Sequence, residues 1–264
     1  MRFKMEPILK SEGYDKPSYS SQLIPELRVS DWIAAALSGF GVKRVHGLMG
    51  GGAAGLNDGF ISCPDIDYIC YHHEQSAGHA AIGESKYSGN LAVVNPTTGC
   101  GGTNCITSVV NAWQDSVPIL FLSGNVHQNT CTNHIKKSKG INLRTYGIQE
   151  HDIISTVKNI TKFSAFVDTP ADAPEVIQSA ISASLSGRKG PVWVDIPANI
   201  QSSIIQSIYE IKKPQPNKQK NIDFRALKQA LKSSDRPLIL AGGGIRQSTN
   251  VGAFNNFINK YDIP

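Results

Sequence analysis

The chain has 264 residues, of which 40% are hydrophobic and 18% are charged, and its formal net charge is +5. This composition is typical of a soluble globular protein, and the length suffices for one large domain or for one domain and part of another. No apolar run approaches the roughly 20 residues of a membrane span, and the charged segment Met1–Glu6 lacks the apolar core of a secretion signal. We therefore expect neither membrane insertion nor secretion.

The cysteines and lysines narrow the classes of protein further. The five cysteines are odd in number and no pair has CxxC spacing, which argues against disulfides or zinc and favours the cytoplasm. His73 and His79 are six residues apart, whereas two ligands on one helical face are four apart, so we expect no metal site. Lysines concentrate at 136–139 and 212–220 without interleaved aromatic residues, so we expect solvated surface rather than nucleic-acid binding.

The predicted elements begin with a polar N-terminal arm over residues 1–28. A helix follows, with Ser30 as its N-cap and Gly41 at its end. Apolar strands then alternate with helical stretches. The strands are predicted at 45–48, 68–71, 91–94, 119–122, 164–167 and 192–196. The helical stretches are predicted near 75–88, 102–113, 150–157 and 171–186. This alternation predicts an α/β fold with a doubly wound, six-stranded parallel sheet of flavodoxin-like type over residues 29–200.

The composition changes after residue 200. Residues 201–221 are rich in lysine and proline and are predicted to be a linker. Residues 222–264 are predicted to begin a second α/β domain, incomplete as given. It would contain a helix from Asp223 to Leu231, a strand from Leu238 to Ala241, and a further helix to about Lys260.

Glu74 is the first candidate for a functional residue. It lies where the strand ending at Tyr71 gives way to a helix rich in small residues, and ligands bind at that edge of a parallel α/β sheet. A carboxylate among alanine and glycine is partly desolvated and suited to sharing a proton with a ligand nitrogen. The alternative is a glutamate that only stabilises a helix N-terminus.

Glycine-rich segments follow two of the strands, at 50–52 and 99–102, and a third lies at 242–244. Such loops can offer N–H groups to a phosphate, but none has the spacing of a P-loop or a dinucleotide-binding loop. A tight turn is the better explanation for each segment taken alone. A Rossmann-type NAD domain is therefore not favoured.

The order of the motifs is more specific than any single motif. The segments that carry the order are Val45–Gly51, His73–Gln75, Thr98–Asn104, Trp113–Pro118, Ser123–Val126, Gly147–Glu150, Ile160–Lys162 and Gly190–Pro197. Over residues 29–201 the chain resembles the N-terminal, pyrimidine-binding domain of thiamine diphosphate enzymes of the acetolactate synthase family. The resemblance resumes over 236–264, at the start of that family's central domain.

The resemblance implies roles for particular residues. The glutamate that matches Glu74 hydrogen-bonds the aminopyrimidine of the cofactor, so that the thiazolium can be deprotonated and attack a 2-oxo acid such as pyruvate. Gln149 and Lys162 match polar residues of the substrate channel and complete the catalytic set. The residues that match cofactor-binding positions are Gly50, Gly51, Thr98, Gly99 and Asn104.

Several residues depart from the family pattern, and the acceptor pocket is where they matter. Ile148 replaces a phenylalanine that borders the second-substrate pocket, Asn125 replaces a glutamine, and Phe163 replaces a histidine. Met49 and Cys100 stand where proline is usual. The acceptor substrate is therefore not predicted.

The family binds diphosphate and Mg2+ through a separate C-terminal domain with a Gly-Asp-Gly … Asn-Asn motif, which this sequence does not contain. We expect the chain to be a truncated form, one subunit of a split enzyme, or a relic. Its active site would then be completed by a homo-oligomer or by a complementing subunit that carries the diphosphate domain. FAD could bind in the central domain, and the sequence does not decide whether it does. The predicted function is carboligation of a 2-oxo acid; a simple 2-oxo acid decarboxylase and a non-catalytic dimerisation or regulatory subunit are the alternatives.

Overall fold

A six-stranded parallel sheet forms the centre of the protein. The computed structural model describes residues 27–205, 210–214, 223–248, 250–261 and 263–264. The strands are β1 (Leu27–Arg28), β2 (Arg44–Gly47), β3 (Asp67–Cys70), β4 (Ala92–Asn95), β5 (Ile119–Asn125), β6 (Ser164–Phe166), β7 (Val192–Pro197) and β8 (Ile204–Ile205). The sheet has the order β3-β2-β4-β5-β7-β6, and all its pairings are parallel. The predicted six-stranded parallel sheet is confirmed.

Helices cover both faces of this sheet. The helices of the described residues are α1 (Val29–Phe40), α2 (Ala54–Ser62), α3 (Glu74–Ser88), α4 (Cys100–Asn104), α5 (Ile106–Gln114), α6 (Thr132–Lys139), α7 (Ile153–Val157), α8 (Ala173–Leu185), α9 (Ala198–Ser202), α10 (Arg225–Ser233), α11 (Gly244–Gln247) and α12 (Val251–Tyr261). The last three have no buried residue and do not contribute to the core. The first core cluster joins α1, α2 and α8 to Leu120 and Leu122 of β5, and the second joins α3, α5 and α7 to Ile119 and Phe121. Alternate residues of one strand therefore face opposite helical layers, as in a doubly wound fold.

The structure differs from the sequence prediction at the start of the first helix. Ser30 was expected as its N-cap, but α1 begins at Val29 and Arg28 is the N-cap. The reason is the short β1 strand, which pairs antiparallel with β8 and is followed by a hydrogen bond from Val29 N–H to the Ser203 carbonyl. That bond satisfies one of the helix's first N–H groups without a capping side chain. The end of the helix at Gly41, in the left-handed conformation, is as predicted.

The domain boundaries also differ from 29 and 200. β1 belongs to the arm predicted at 1–28, and β8 belongs to the linker predicted at 201–221, yet the two strands pair with each other. Ile211, also within that linker, is buried against the first core cluster. The rest of the arm, residues 1–26, and residues 206–209 and 215–222 of the linker region lie outside the described residues.

The strand predicted from Leu238 to Ala241 does not form in the described part of the chain. Helices do form around it: α10 before it, and α11 and α12 after it. Leu238 and Leu240 are largely exposed, and the segment's one backbone hydrogen bond to a neighbouring segment runs from Ile239 N–H to the Pro264 carbonyl. A strand requires a hydrogen-bonded ladder, and a single bond does not provide one.

Candidate active site at the carboxyl edge of the sheet

Three chain segments meet where β2, β3 and β4 end. The three strands are neighbours in the sheet, with β2 in the middle. The chain leaves β2 toward β3 and then crosses to β4 on the other side, so this edge is a point at which the direction of winding reverses. Ligands of open α/β sheets bind at such points.

Glu74 lies at this edge as the first residue of α3. Its side chain is buried, and Oε2 accepts a hydrogen bond of 2.9 Å from Asn104 Nδ2. A Cβ atom placed on Gly101 would lie 3.2 Å from the other oxygen, Oε1. Within the described residues, Oε1 accepts no hydrogen bond. The structure therefore brings together the predicted Glu74 and Asn104 and leaves one carboxylate oxygen available to a ligand.

Gly99 and Gln149 also meet. Gly99 has a φ of +60°, and a Cβ atom there would lie 2.0 Å from the carbonyl oxygen of Gln149. Gln149 itself has a φ of +62° and an exposed side chain. The close approach of the two backbones holds the Gln149 segment beside the loop after β4, and it requires glycine at position 99.

The glycines after β2 leave space for a ligand. A Cβ atom on Gly50 would meet the Thr97 side chain at 2.5 Å, whereas one on Gly51 would have no neighbour within 4 Å. Thr97 Oγ1, between these loops, is buried and has no hydrogen-bond partner in the described structure. Buried polar atoms are normally paired. Together with the free Oε1 of Glu74, an open backbone at Gly51 and an unpaired hydroxyl oxygen are features that fit the polar edge of an aminopyrimidine.

Lys162 is not brought to this cluster. It precedes β6, so it lies at the amino edge of the sheet, whereas Glu74 follows β3 at the carboxyl edge. Its Nζ donates a hydrogen bond of 2.5 Å to the Ser186 carbonyl, and burial lowers the pKa of its ammonium group. Within this chain Lys162 thus lies apart from the Glu74 cluster, and its predicted place in the substrate channel stays a prediction.

Two buried polar networks near this edge were not predicted as sites. In one, His46 is buried on β2, with Nδ1 2.8 Å from the Tyr71 hydroxyl and Nε2 2.7 Å from Glu84 Oε2. In the other, Asp195 on β7 is bonded to Ser123 and Asn125 of β5. The sequence signal for Asp195 was a single ionisable residue inside an otherwise apolar strand; the strand of His46 also contains Arg44 and gives a weaker signal.

The described residues contain no cluster of three or more histidine, cysteine, aspartate or glutamate residues able to hold a metal ion. They also contain no helix that is long and apolar enough to cross a membrane.

Comparison with known proteins identifies the class to which this fold and site belong. Residues 27–154 match the family described as thiamine pyrophosphate enzyme, N-terminal TPP binding domain; thiamine pyrophosphate and thiamine diphosphate are the same compound. The match covers β1 to the start of α7, including every predicted site residue except Lys162.

Curated relatives define the family more closely. The chain is 31% identical over 261 residues to the acetolactate synthase large subunit of Lactococcus lactis. That alignment covers 97% of this chain and 42% of the relative. It is 31% identical to the acetolactate synthase isozyme 3 large subunit of Escherichia coli, in an alignment that covers 81% of this chain and 37% of the relative. It is 32% identical to a probable acetolactate synthase large subunit of Methanocaldococcus jannaschii, covering 83% and 36%. The chain thus carries the N-terminal domain of the thiamine diphosphate-dependent acetolactate synthase family, as the motifs predicted. It spans about two fifths of the length of these relatives.

Proposed function

We propose that this chain supplies the pyrimidine-binding half of an active site that decarboxylates a 2-oxo acid such as pyruvate and joins the resulting two-carbon unit to a second carbonyl compound. The names of the relatives support this reaction class. The observation that carries the proposal is Glu74, a buried carboxylate with one oxygen held by Asn104 and the other unpaired within the described residues.

Each residue of the site has a distinct task in this proposal. Asn104 fixes the Glu74 carboxylate through its N–H group, so that Oε1 faces the space above Gly51 and shares a proton with a ring nitrogen. Gly50 and Gly51 keep side chains out of that space, and Thr98 and Gly99 form its second wall. Thiamine diphosphate, when bound, supplies the electron sink for decarboxylation. Gln149 would contact the substrate through its exposed side chain.

The second half of the site would come from a diphosphate-binding domain, which we propose holds Mg2+ with the diphosphate. A homo-oligomer or a complementing subunit would supply it. FAD, which the central domain of this family can hold, stays a prediction. The acceptor substrate is not assigned, since Ile148 beside Gln149 is 87% exposed and defines no pocket within the described residues.

The test is calorimetric titration with thiamine diphosphate and Mg2+, for the chain alone and with a diphosphate-domain subunit from the same source. Pyruvate consumption is measured in the same mixtures. Glu74→Gln should abolish turnover, because the amide cannot share the proton in the same way. Near wild-type activity of this variant would overturn the proposed role.

The matched control is Glu175→Gln. Glu175 is also an acidic residue in the first turn of a helix, α8, but it is exposed and distant from the site. The two variants lose the same charge and the same favourable interaction with a helix N-terminus. Loss of activity in the Glu74 variant alone therefore reports the site rather than the stability of a helix.

A further inference from the structure

A buried chain of hydrogen bonds joins the interior of the sheet to the Thr98 loop, which we define as residues 98–104. Asp195 is 2% exposed, and its two oxygens accept hydrogen bonds from Ser123 Oγ at 2.5 Å and from Asn125 Nδ2 at 2.7 Å. Asn125 Oδ1 accepts in turn from Thr98 Oγ1 at 2.9 Å. Asp195 thus lies two hydrogen bonds away from the loop that carries Asn104.

The direction of these bonds is determined by the carboxylate. An ionised carboxylate only accepts hydrogen bonds, so the amide of Asn125 must point its NH2 group toward Asp195 and its oxygen toward Thr98. Val126 N–H, which donates to the same oxygen at 2.8 Å, is compatible with this orientation only. The Thr98 hydroxyl is therefore held as a donor toward Asn125.

The position of Thr98 affects the rest of the loop. The Thr98 carbonyl accepts from Gly101 N–H at 3.2 Å, and the Gly99 carbonyl accepts from Thr103 N–H at 3.0 Å. These bonds build α4, whose last residue, Asn104, holds Glu74. A change in the direction of the Asn125 amide would therefore loosen the support of Glu74 from a distance.

We propose that Asp195 is a positioning residue which, by orienting Asn125, holds Thr98 and thereby sets the Thr98 loop against Glu74. The geometry of the loop does not depend on the cofactor; only the consequence for catalysis rests on the proposed function. Ser123 bonds to the other oxygen of the same carboxylate, accepts from Trp193 Nε1 at 2.8 Å, and has no bond to the loop. It therefore provides a matched control.

The charge of Asp195 changes near neutral pH. Burial raises its pKa to about 7 against the opposing effect of the bonds from Ser123 and Asn125, and the nearby charges of Asp152 and Glu150 raise it further. The buried thiol of Cys131 also interacts with Asp195. A protonated Asp195 is a weaker acceptor for Asn125 Nδ2 than the carboxylate is, so Asn125 is held less firmly and protection of the loop should rise with pH through this range.

The experiment is amide hydrogen exchange at Gly101 and Thr103, compared with amides of β5, in the chain without added cofactor. We expect Asp195→Asn to speed exchange at both loop amides about tenfold, the loss of roughly one buried hydrogen bond. Ser123→Ala, compared at a pH well above the pKa of Asp195 so that the carboxylate stays ionised, should leave them unchanged relative to β5. In an Asn125→Ala background, Asp195→Asn should have no further effect. An equal effect in both backgrounds would show that Asp195 does not act through Asn125 and would overturn the proposal.

A second measurement keeps the proposal testable if Asp195→Asn does not fold. After correction for the intrinsic pH dependence of exchange, protection of Gly101 and Thr103 should rise between about pH 6 and 8, around the pKa of about 7, in the wild-type chain. It should stay flat in Asn125→Ala, and the same rise in that variant would refute the proposal. Both measurements are independent of thiamine diphosphate, so failure of the Glu74 proposal would leave their outcome unaffected.

Discussion

Replacing Gly99 by alanine would place a methyl group 2.0 Å from the carbonyl oxygen of Gln149. An ordinary contact begins at 3.4 Å, so one of the two backbone segments has to move by roughly 1.4 Å. The Gln149 segment is not free to do so, because Gly147 N–H is bonded to the Thr130 carbonyl and Glu150 N–H to the Gly147 carbonyl. The substitution therefore requires the loss of at least one of these bonds or a rearrangement of the Thr98 loop.

The cost has two parts. Gly99 has φ +60° and ψ −119°, a conformation that side-chain-bearing residues adopt at a cost of about 1–3 kcal/mol. A backbone hydrogen bond lost on moving the Gln149 segment adds about 1 kcal/mol. We expect the free energy of unfolding to fall by about 2–4 kcal/mol, measured by urea denaturation with circular dichroism and tryptophan fluorescence.

Gly51→Ala is the control for this experiment. Its Cβ atom would meet nothing within 4 Å, and alanine reduces the entropy of the unfolded chain, so we expect stability within about 1 kcal/mol of the wild type. The same variant should weaken thiamine diphosphate binding if the space above Gly51 receives the cofactor. A Gly99→Ala protein with wild-type stability and wild-type exchange at the Thr103 amide, whose partner is the Gly99 carbonyl, would refute the reasoning.

Two further predictions concern the buried networks. Tyr71→Phe removes the hydroxyl 2.8 Å from His46 Nδ1 and leaves a buried ring nitrogen unpaired, so we expect a loss of about 1–3 kcal/mol in urea denaturation; Tyr87→Phe, at an 85% exposed position, should change little, and equal stabilities would contradict the prediction. For Asp195 the pKa is raised from 3.8 to about 7 in the folded chain, so between these values the folded state binds more protons than the unfolded state and the free energy of unfolding falls as pH rises. The free energy of unfolding can be measured by denaturation of the wild type and of Asp195→Asn at pH 4 to 8. It should fall more steeply with pH in the wild type than in Asp195→Asn, and the same pH dependence in both proteins would count against the prediction.

The sheet was predictable from the sequence because its strands are short apolar runs separated by helices. β4 and β5 are buried along their whole length, so their sequences carry a continuous apolar signal. The segment from Leu238 to Ala241 carries the same signal but forms no strand, because its ladder partner is not supplied by the described residues. Strand propensity is local, whereas a strand depends on its neighbour.

The contact between Glu74 and Asn104 was predictable only in part. Both residues matched cofactor-binding positions, but the hydrogen bond joins residues 30 apart and exists because β3 and β4 flank β2. Lys162 shows the complementary case: its motif matched the family, but the direction of β6 places it at the edge of the sheet opposite Glu74, and its role in a substrate channel stays a prediction. A motif assigns a residue to a family position, and strand direction then decides which residues share a site.

Burial of a carboxylate does not by itself distinguish a functional residue in this protein. Asp195 and Glu150 are as buried as Glu74, but both oxygens of Asp195 accept hydrogen bonds from β5, and both oxygens of Glu150 accept from Thr132. Within the described residues, Glu74 is the buried carboxylate that keeps one oxygen without a protein donor. That oxygen is not among the solvent-excluded unpaired atoms of the described residues, so a donor from outside the protein can reach it. A carboxylate fixed by Asn104 with one accessible, unpaired oxygen is the feature that distinguishes Glu74 from the other two.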